Sequence, residues 1–244
     1  MKIFDGLISE TLNLLAPIET RRFSYDPAKA AAEGDPNELI LRRDMAFELG
    51  EGSFASVGLT AVTQNEALVP EDGVYLCGPD LGEIRGDCAF ARVTLLLTDD
   101  IFEKGDQAAY ALIKSMEVKK FEVAPQGYMT RPSALTNREQ VRVSKKAVKG
   151  GLGFQSVGSL LIKKYHENRH VRRAAVFFVT LPDAPYAALD GIADKTNAVA
   201  SALNHALLDV SMDCRACEWK PVCDAVDGMK ELHEKRLQKK EEAN

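Results

Sequence analysis

The run Phe90-Ala-Arg-Val-Thr-Leu-Leu-Leu-Thr98 constrains this chain most. A β-branched, almost unbroken apolar stretch of this length fits a strand buried on both faces, which exists only inside a sheet covered by further layers. Arg173–Thr180 (Arg-Ala-Ala-Val-Phe-Phe-Val-Thr) has the same character and is a second buried strand. Shorter strands are expected at 38–49, which alternates in part and stops at Gly50 and Gly52, at Ser56–Val62 and at Gly73–Cys77, the last followed by a turn at Gly78–Gly82.

Helical spacing appears between these strands. Leu7, Ile8, Leu12 and Leu15 mark a helix over 4–15 that ends before Pro17, and residues 18–36 form a polar connecting arm. Ala108, Leu112, Ile113 and Met116 share one face of a helix over 101–121. Residues 122–142 show no clear period and are expected to be an ordered loop of the kind that often carries function. Helices are expected again at 144–148, at 156–165 and, with Leu189, Ile192, Val199, Leu203 and Leu207 as core face, over 184–210. Pro221 can open a last helix bearing Val222, Val226, Met229 and Leu232, before a charged tail at 238–244. Strands and helices mix without a strict βαβ rhythm, so the expected fold class is α+β, a mixed β-sheet packed with helices. The expected organisation is an N-terminal helix and arm (1–36), an α+β body (37–210) and a cysteine-bearing segment with a C-terminal helix (211–244).

That last segment carries the chemistry. Cys214, Cys217 and Cys223 form C-x2-C-x5-C, three of the five cysteines within ten positions. Two thiolates three residues apart bend round one inorganic centre, and a longer step brings a third from another side, an arrangement that suits a [4Fe–4S] cluster. Zinc is the alternative metal, with His205 or His233 as a nitrogen ligand, and unligated or redox thiols are a third reading. Cys77 and Cys88 are candidates for a fourth ligand. Cys77 lies in a strand pattern that favours an inert core thiol, and Cys88 lies in a more available polar turn. A ligand from another chain or an open iron site would serve equally.

The net charge of −5 argues against broad nucleic-acid binding, which needs a basic face. Residues 1–6 lack an apolar signal core, and no stretch of about 18 apolar residues is present to span a membrane. The expected location is therefore cytoplasmic. Catalytic residues cannot be assigned. No Ser/His/Asp or Cys/His set and no phosphate-cradling glycine loop is present. Asp99, Asp100 and Glu103 precede a helix, where acids favour its dipole, and His166, His170 and His205 suit surface or satisfied positions.

Four stretches occur in an order and at separations that give the chain a family likeness. They are Arg43-Asp-Met-Ala-Phe-Glu-Leu-Gly50, Cys77-Gly-Pro-Asp-Leu-Gly-Glu-Ile84, Val141-Arg-Val-Ser-Lys-Lys-Ala-Val-Lys-Gly-Gly-Leu-Gly-Phe154 and Val157-Gly-Ser-Leu-Leu161. Over residues 38–223 the chain resembles the acetyl-CoA synthase β subunit of the CO dehydrogenase complex, covering that enzyme's middle α+β domain and the start of its metal-bearing domain. Arg142–Gly151 is the most specific motif. The resemblance implies that Cys214, Cys217 and Cys223 stand at the first three cluster cysteines, although the gap between the second and third is shorter here. The sequence has no Cys-x-Cys to match the family's outer-nickel site, so the implied role is that of a CO-methylating acetyl-CoA synthase-type acyltransferase subunit that depends on a partner. A corrinoid protein, a methyltransferase or a CO dehydrogenase subunit are the implied partners in one-carbon metabolism. Coenzyme A is the implied organic ligand, with its phosphates at Arg131, Arg138, Arg142, Lys145 and Lys146, Tyr128 against its adenine, and Ser144 capping the helix start. A solvated basic edge is the competing reading of those residues.

Overall fold

Phe90–Thr98 forms a strand with all nine residues buried, the burial that its apolar run requires. A computed structural model gives the fold and describes residues 2–35, 38–42, 45–101, 106–131, 133–208, 220–226 and 228. In chain order the strands are β1 (Thr20–Ser24), β2 (Ala46–Leu49), β3 (Ser56–Thr63), β4 (Gly73–Cys77), β5 (Phe90–Thr98), β6 (Tyr128–Arg131), β7 (Gln140–Ser144) and β8 (Val171–Val179). The helices are α1 (Asp5–Leu15), α2 (Asp106–Val118), α3 (Lys145–Lys149), α4 (Phe154–His166), α5 (Tyr186–Leu208) and α6 (Lys220–Ala225). The fold class is α+β, with a five-stranded mixed sheet in the order β1-β4-β8-β5-β3 and a three-stranded antiparallel sheet in the order β2-β7-β6.

In the large sheet β3 runs parallel to β5 and β4 parallel to β8, while β5 and β8 meet antiparallel at the centre. The two most apolar runs are therefore neighbours, each with a partner on both sides. β1, at one edge, is mostly exposed and carries Arg21 and Arg22, charges that discourage pairing with another chain. Helix α4 packs on β4 and β8, burying Phe154, Val157, Leu161 and Tyr165 at helical spacing. Phe154 stacks on Phe178 with ring centroids 4.5 Å apart and lies 6.0 Å from Phe90. Gly158 permits this approach, because a Cβ there would lie 2.6 Å from Val74 Cγ2. Helix α5 packs along β3 and against α1 and α2.

Several sequence expectations need correction. The arm at 18–36 contains β1, which pairs with β4 from Thr20–Cys77 to Ser24–Gly73, and a 3-10 turn at Pro27–Lys29. The expected loop at 122–142 contains β6 and most of β7. These strands are short, and Val141 and Val143 alternate with polar Gln140, Arg142 and Ser144, so their period of two covers too few residues to stand out. Among the described residues the strand expected from residue 38 is β2, and the helix over 101–121 is described from 106 and closes in a 3-10 turn at Lys119–Phe121. The last helix is described over Lys220–Ala225, and Met229 and Leu232 lie outside the described residues. Among the described residues no helix is long and apolar enough to cross a membrane.

Candidate functional site

Three of the four motif stretches, 43–50, 77–84 and 141–154, are joined by bonds between their own residues. Glu48 on β2 is fully buried and accepts a hydrogen bond from Arg142 Nε on β7 at 2.5 Å. The Lys145 amide donates to the Met45 carbonyl at 2.9 Å, which ties the start of α3 to the entry of β2. Asp80 Oδ1 accepts from the Phe154 amide at 2.8 Å, so the turn after β4 caps α4. The motif residues thus join the small sheet to α3, and the turn after β4 to α4.

That convergence fixes where the candidate cations lie. Arg131 donates to Glu51 at 2.5 Å and to Glu48 at 3.4 Å, and Arg142 NH1 also donates to the Ile40 carbonyl at 2.7 Å. Arg138 is turned to the carbonyls of Gly50, at 3.2 Å, and Gly52, at 2.5 Å. Lys145 Nζ lies 5.0 Å over the Phe47 ring. Tyr128 is 5% exposed, so its ring does not offer a free face for stacking on a base. Burial, then the neighbouring Glu139 carboxylate, push its phenol well above the ordinary range. The structure therefore brings Arg131 and Arg142 together on Glu48 and leaves Lys146 in a cleft of about 730 Å³.

The cleft lies between α3, the entry to β2 and the Ala31–Ala32 segment. Ile40, Leu41 and Met45 give it an apolar wall, and Ser144 and Lys146 a polar one. Ser144 also caps α3 by accepting from the Ala147 amide at 3.4 Å. Gly127 closes the floor at φ +82, where an added Cβ would come within 2.3 Å of the Ala147 methyl.

A buried charge cluster in the described fold was not foreseen from the sequence. Arg92, inside β5, and Glu139, just before β7, are each 1% exposed and form two bonds, Nε–Oε1 at 2.5 Å and NH2–Oε2 at 2.8 Å. Lys120 Nζ adds a third contact to Glu139 Oε2 at 2.9 Å, and Arg92 also donates to Thr94 Oγ1. Burial pushes the Glu139 carboxyl up, but the Arg92 and Lys120 charges outweigh it and hold the group at about 2. Burial likewise works against the Arg92 charge, and the Glu139 carboxylate more than offsets it, so the guanidinium stays ionised. The available signal was a single arginine inside an otherwise apolar central strand, since a charge there demands a buried counter-charge.

Cys214 and Cys217 lie outside the described residues, as does the side chain of Cys223, whose backbone falls in α6. The side chain of His205, and His233 as a whole, also lie outside them. Among the described residues no group of His, Cys, Asp and Glu is arranged to hold a metal ion. Cys77 is buried with its sulfur 3.2 Å from Thr20 Oγ1, and burial pushes its thiol up. Cys88 is half-buried, and burial together with Asp87 pushes its thiol up to about 11. His166 is half-buried, with Nε2 3.0 Å from each Asp72 oxygen. Asp99 accepts from Arg172 and Asp100 from Gln64 Nε2, and Glu103 lies outside the described residues.

A comparison with models of known protein families finds no match to this chain, and a comparison with curated proteins finds none.

Proposed function

We propose that this chain is an acetyl-CoA synthase-like protein of one-carbon and acetyl-CoA metabolism, which carries a [4Fe–4S] cluster on Cys214, Cys217 and Cys223 and takes coenzyme A in the cleft beside Lys146. The observation that carries the proposal is the cysteine triplet, three soft thiolate donors within ten residues, which is the donor set of an iron–sulfur site. The cluster supplies one-electron chemistry when bound. The protein's part is to hold three thiolates in one place and to present a bound partner or ligand to them.

The position of the most specific motif supports the coenzyme A assignment. Residues of the 141–154 stretch wall the cleft of about 730 Å³, where Lys146 is the cation, Glu38 adds a carboxylate, and Ile40, Leu41 and Met45 offer apolar surface. A lysine for a phosphate and an apolar wall for a pantetheine arm suit a long amphipathic anion. Arg131 and Arg142 are committed to Glu48, so the work of charge recognition falls on Lys146. Corrinoid, methyltransferase or CO dehydrogenase proteins are the proposed partners, and acyl transfer needs one that supplies nickel.

Electron paramagnetic resonance of the anaerobically prepared, dithionite-reduced chain tests the cluster, and a signal of a reduced [4Fe–4S] centre is expected. Calorimetric titration with coenzyme A tests the cleft. Binding should weaken about tenfold or more in Lys146→Ala, the scale of one lost charge-assisted contact. A cluster-free chain that binds no coenzyme A under reducing, iron-replete conditions would remove the proposal.

A further inference from the structure

A second cleft, of about 450 Å³, lies between α2, α5 and residues 133–138 and borders the β3 edge. From its charge balance we infer that it binds a small organic anion, whose carboxylate or phosphate is held at Lys120, with Arg138 in the same wall.

Of the charged residues in its wall, Lys114 pairs with Glu117 at 2.6 Å and the two cancel. Lys120 and Arg138 remain. The carboxylate facing Lys120 is Glu139, and its Oε2, 2.9 Å from Lys120 Nζ, also accepts from Arg92 NH2 at 2.8 Å. One carboxylate thus serves two cations, and one positive charge is left over where the Lys120 side chain is only 13% exposed. Arg138 makes no ion pair among the described residues and donates to the carbonyls of Gly50, Gly52 and Phe54. An uncompensated charge at low exposure is costly, and an oxyanion entering the cleft would relieve it.

The wall is also set in advance. Asn137 stands in the left-handed region at φ 59. Its Nδ2 donates to Asp194 at 2.7 Å and to Asp190 at 3.4 Å, its Oδ1 accepts from Asn197, and its carbonyl accepts from the Gly58 amide at 2.6 Å. The 133–138 segment is thereby pinned to α5 and β3, and its shape costs little to adopt on binding. The two aspartates are bound to Asn137 and do not line the cleft. Val118 and Leu135 bring exposed apolar surface to it, so the favoured ligand has a carbon skeleton behind its charged group. The volume falls within the roughly 300–1,000 Å³ of metabolite sites.

The test is a 15N chemical-shift titration of the 244-residue chain with sodium phosphate and, separately, with sodium butyrate, at constant ionic strength. Saturable shifts centred on the amides of Ser133, Asn137 and Asn197 are expected with at least one of them. Saturation by phosphate alone marks a phosphorylated ligand, by butyrate alone a carboxylic acid, and by both a site that reads the oxyanion itself. Ser133→Asp places a negative charge in the wall while keeping an acceptor for the Leu135 amide, which Ser133 Oγ holds at 3.1 Å. It should weaken binding at least tenfold, and Lys120→Gln should do the same. Saturation by neither anion, shifts spread over the surface, or equal affinity in both variants would overturn the inference. The probes carry neither nucleotide nor thiol, so the result is independent of coenzyme A binding.

Discussion

Arg92 and Glu139 show what a single pair of residues can impose on this fold. Both are almost completely buried, so removing one leaves the other charged and unpaired in the interior. Glu139→Gln should therefore destabilise the chain by about 3–5 kcal/mol in urea melts, whereas replacing both residues by apolar ones of similar size should cost much less. The pair also sets an acid limit. The Glu139 carboxyl is held at about 2 in the fold and titrates near 4.5 when unfolded, so its contribution is present in full above about 4.5 and is lost as the pH falls towards 2. Stability measured between pH 5 and pH 2 should fall more steeply in the wild type than in the doubly apolar variant. Gly58 is tied to the same pair, since a Cβ there would lie 2.6 Å from Glu139 Oε2 and 3.1 Å from Lys120 Nζ. Gly58→Ala should cost about 1–3 kcal/mol by forcing the ion pair apart.

At the scale of elements, the motif stretches act as connectors, and two substitutions separate the connectors from their surroundings. Asp80→Ala removes the acceptor for the Phe154 amide at the start of α4 and should lower stability by about 1 kcal/mol in thermal or urea unfolding. Asp80→Asn should recover most of that loss. Gly127→Ala meets both a positive φ and the Ala147 methyl, so it should displace α3 and lower stability, and with it the proposed binding of coenzyme A. The long elements were legible in the sequence because their patterns run for many residues: β5 and β8 as apolar runs, α4 and α5 as helical stripes. β1, β6 and β7 were hidden because each is four or five residues long and partly polar, and what makes them strands is a partner far away in sequence, such as Val74 opposite Phe23. The basic residues at 131–146 were legible as a cluster of charge. Their division between scaffold and cleft was not, because Glu48, which takes up Arg131 and Arg142, lies more than eighty positions away.

At the scale of the whole molecule, a described α+β body holds two clefts with different chemistry. One is walled by the most specific motif and bears Lys146, and the other carries the excess charge of Lys120 and Arg138. Cys77 is buried within that body and Cys88 half-buried, and the proposed cluster rests on Cys214, Cys217 and Cys223. The most direct test is iron, acid-labile sulfide and zinc analysis of chain prepared without oxygen, beside Cys214→Ala. The account predicts about four iron and four sulfide per chain, falling sharply in the variant. One zinc and no iron, or iron content indifferent to Cys214, would contradict it.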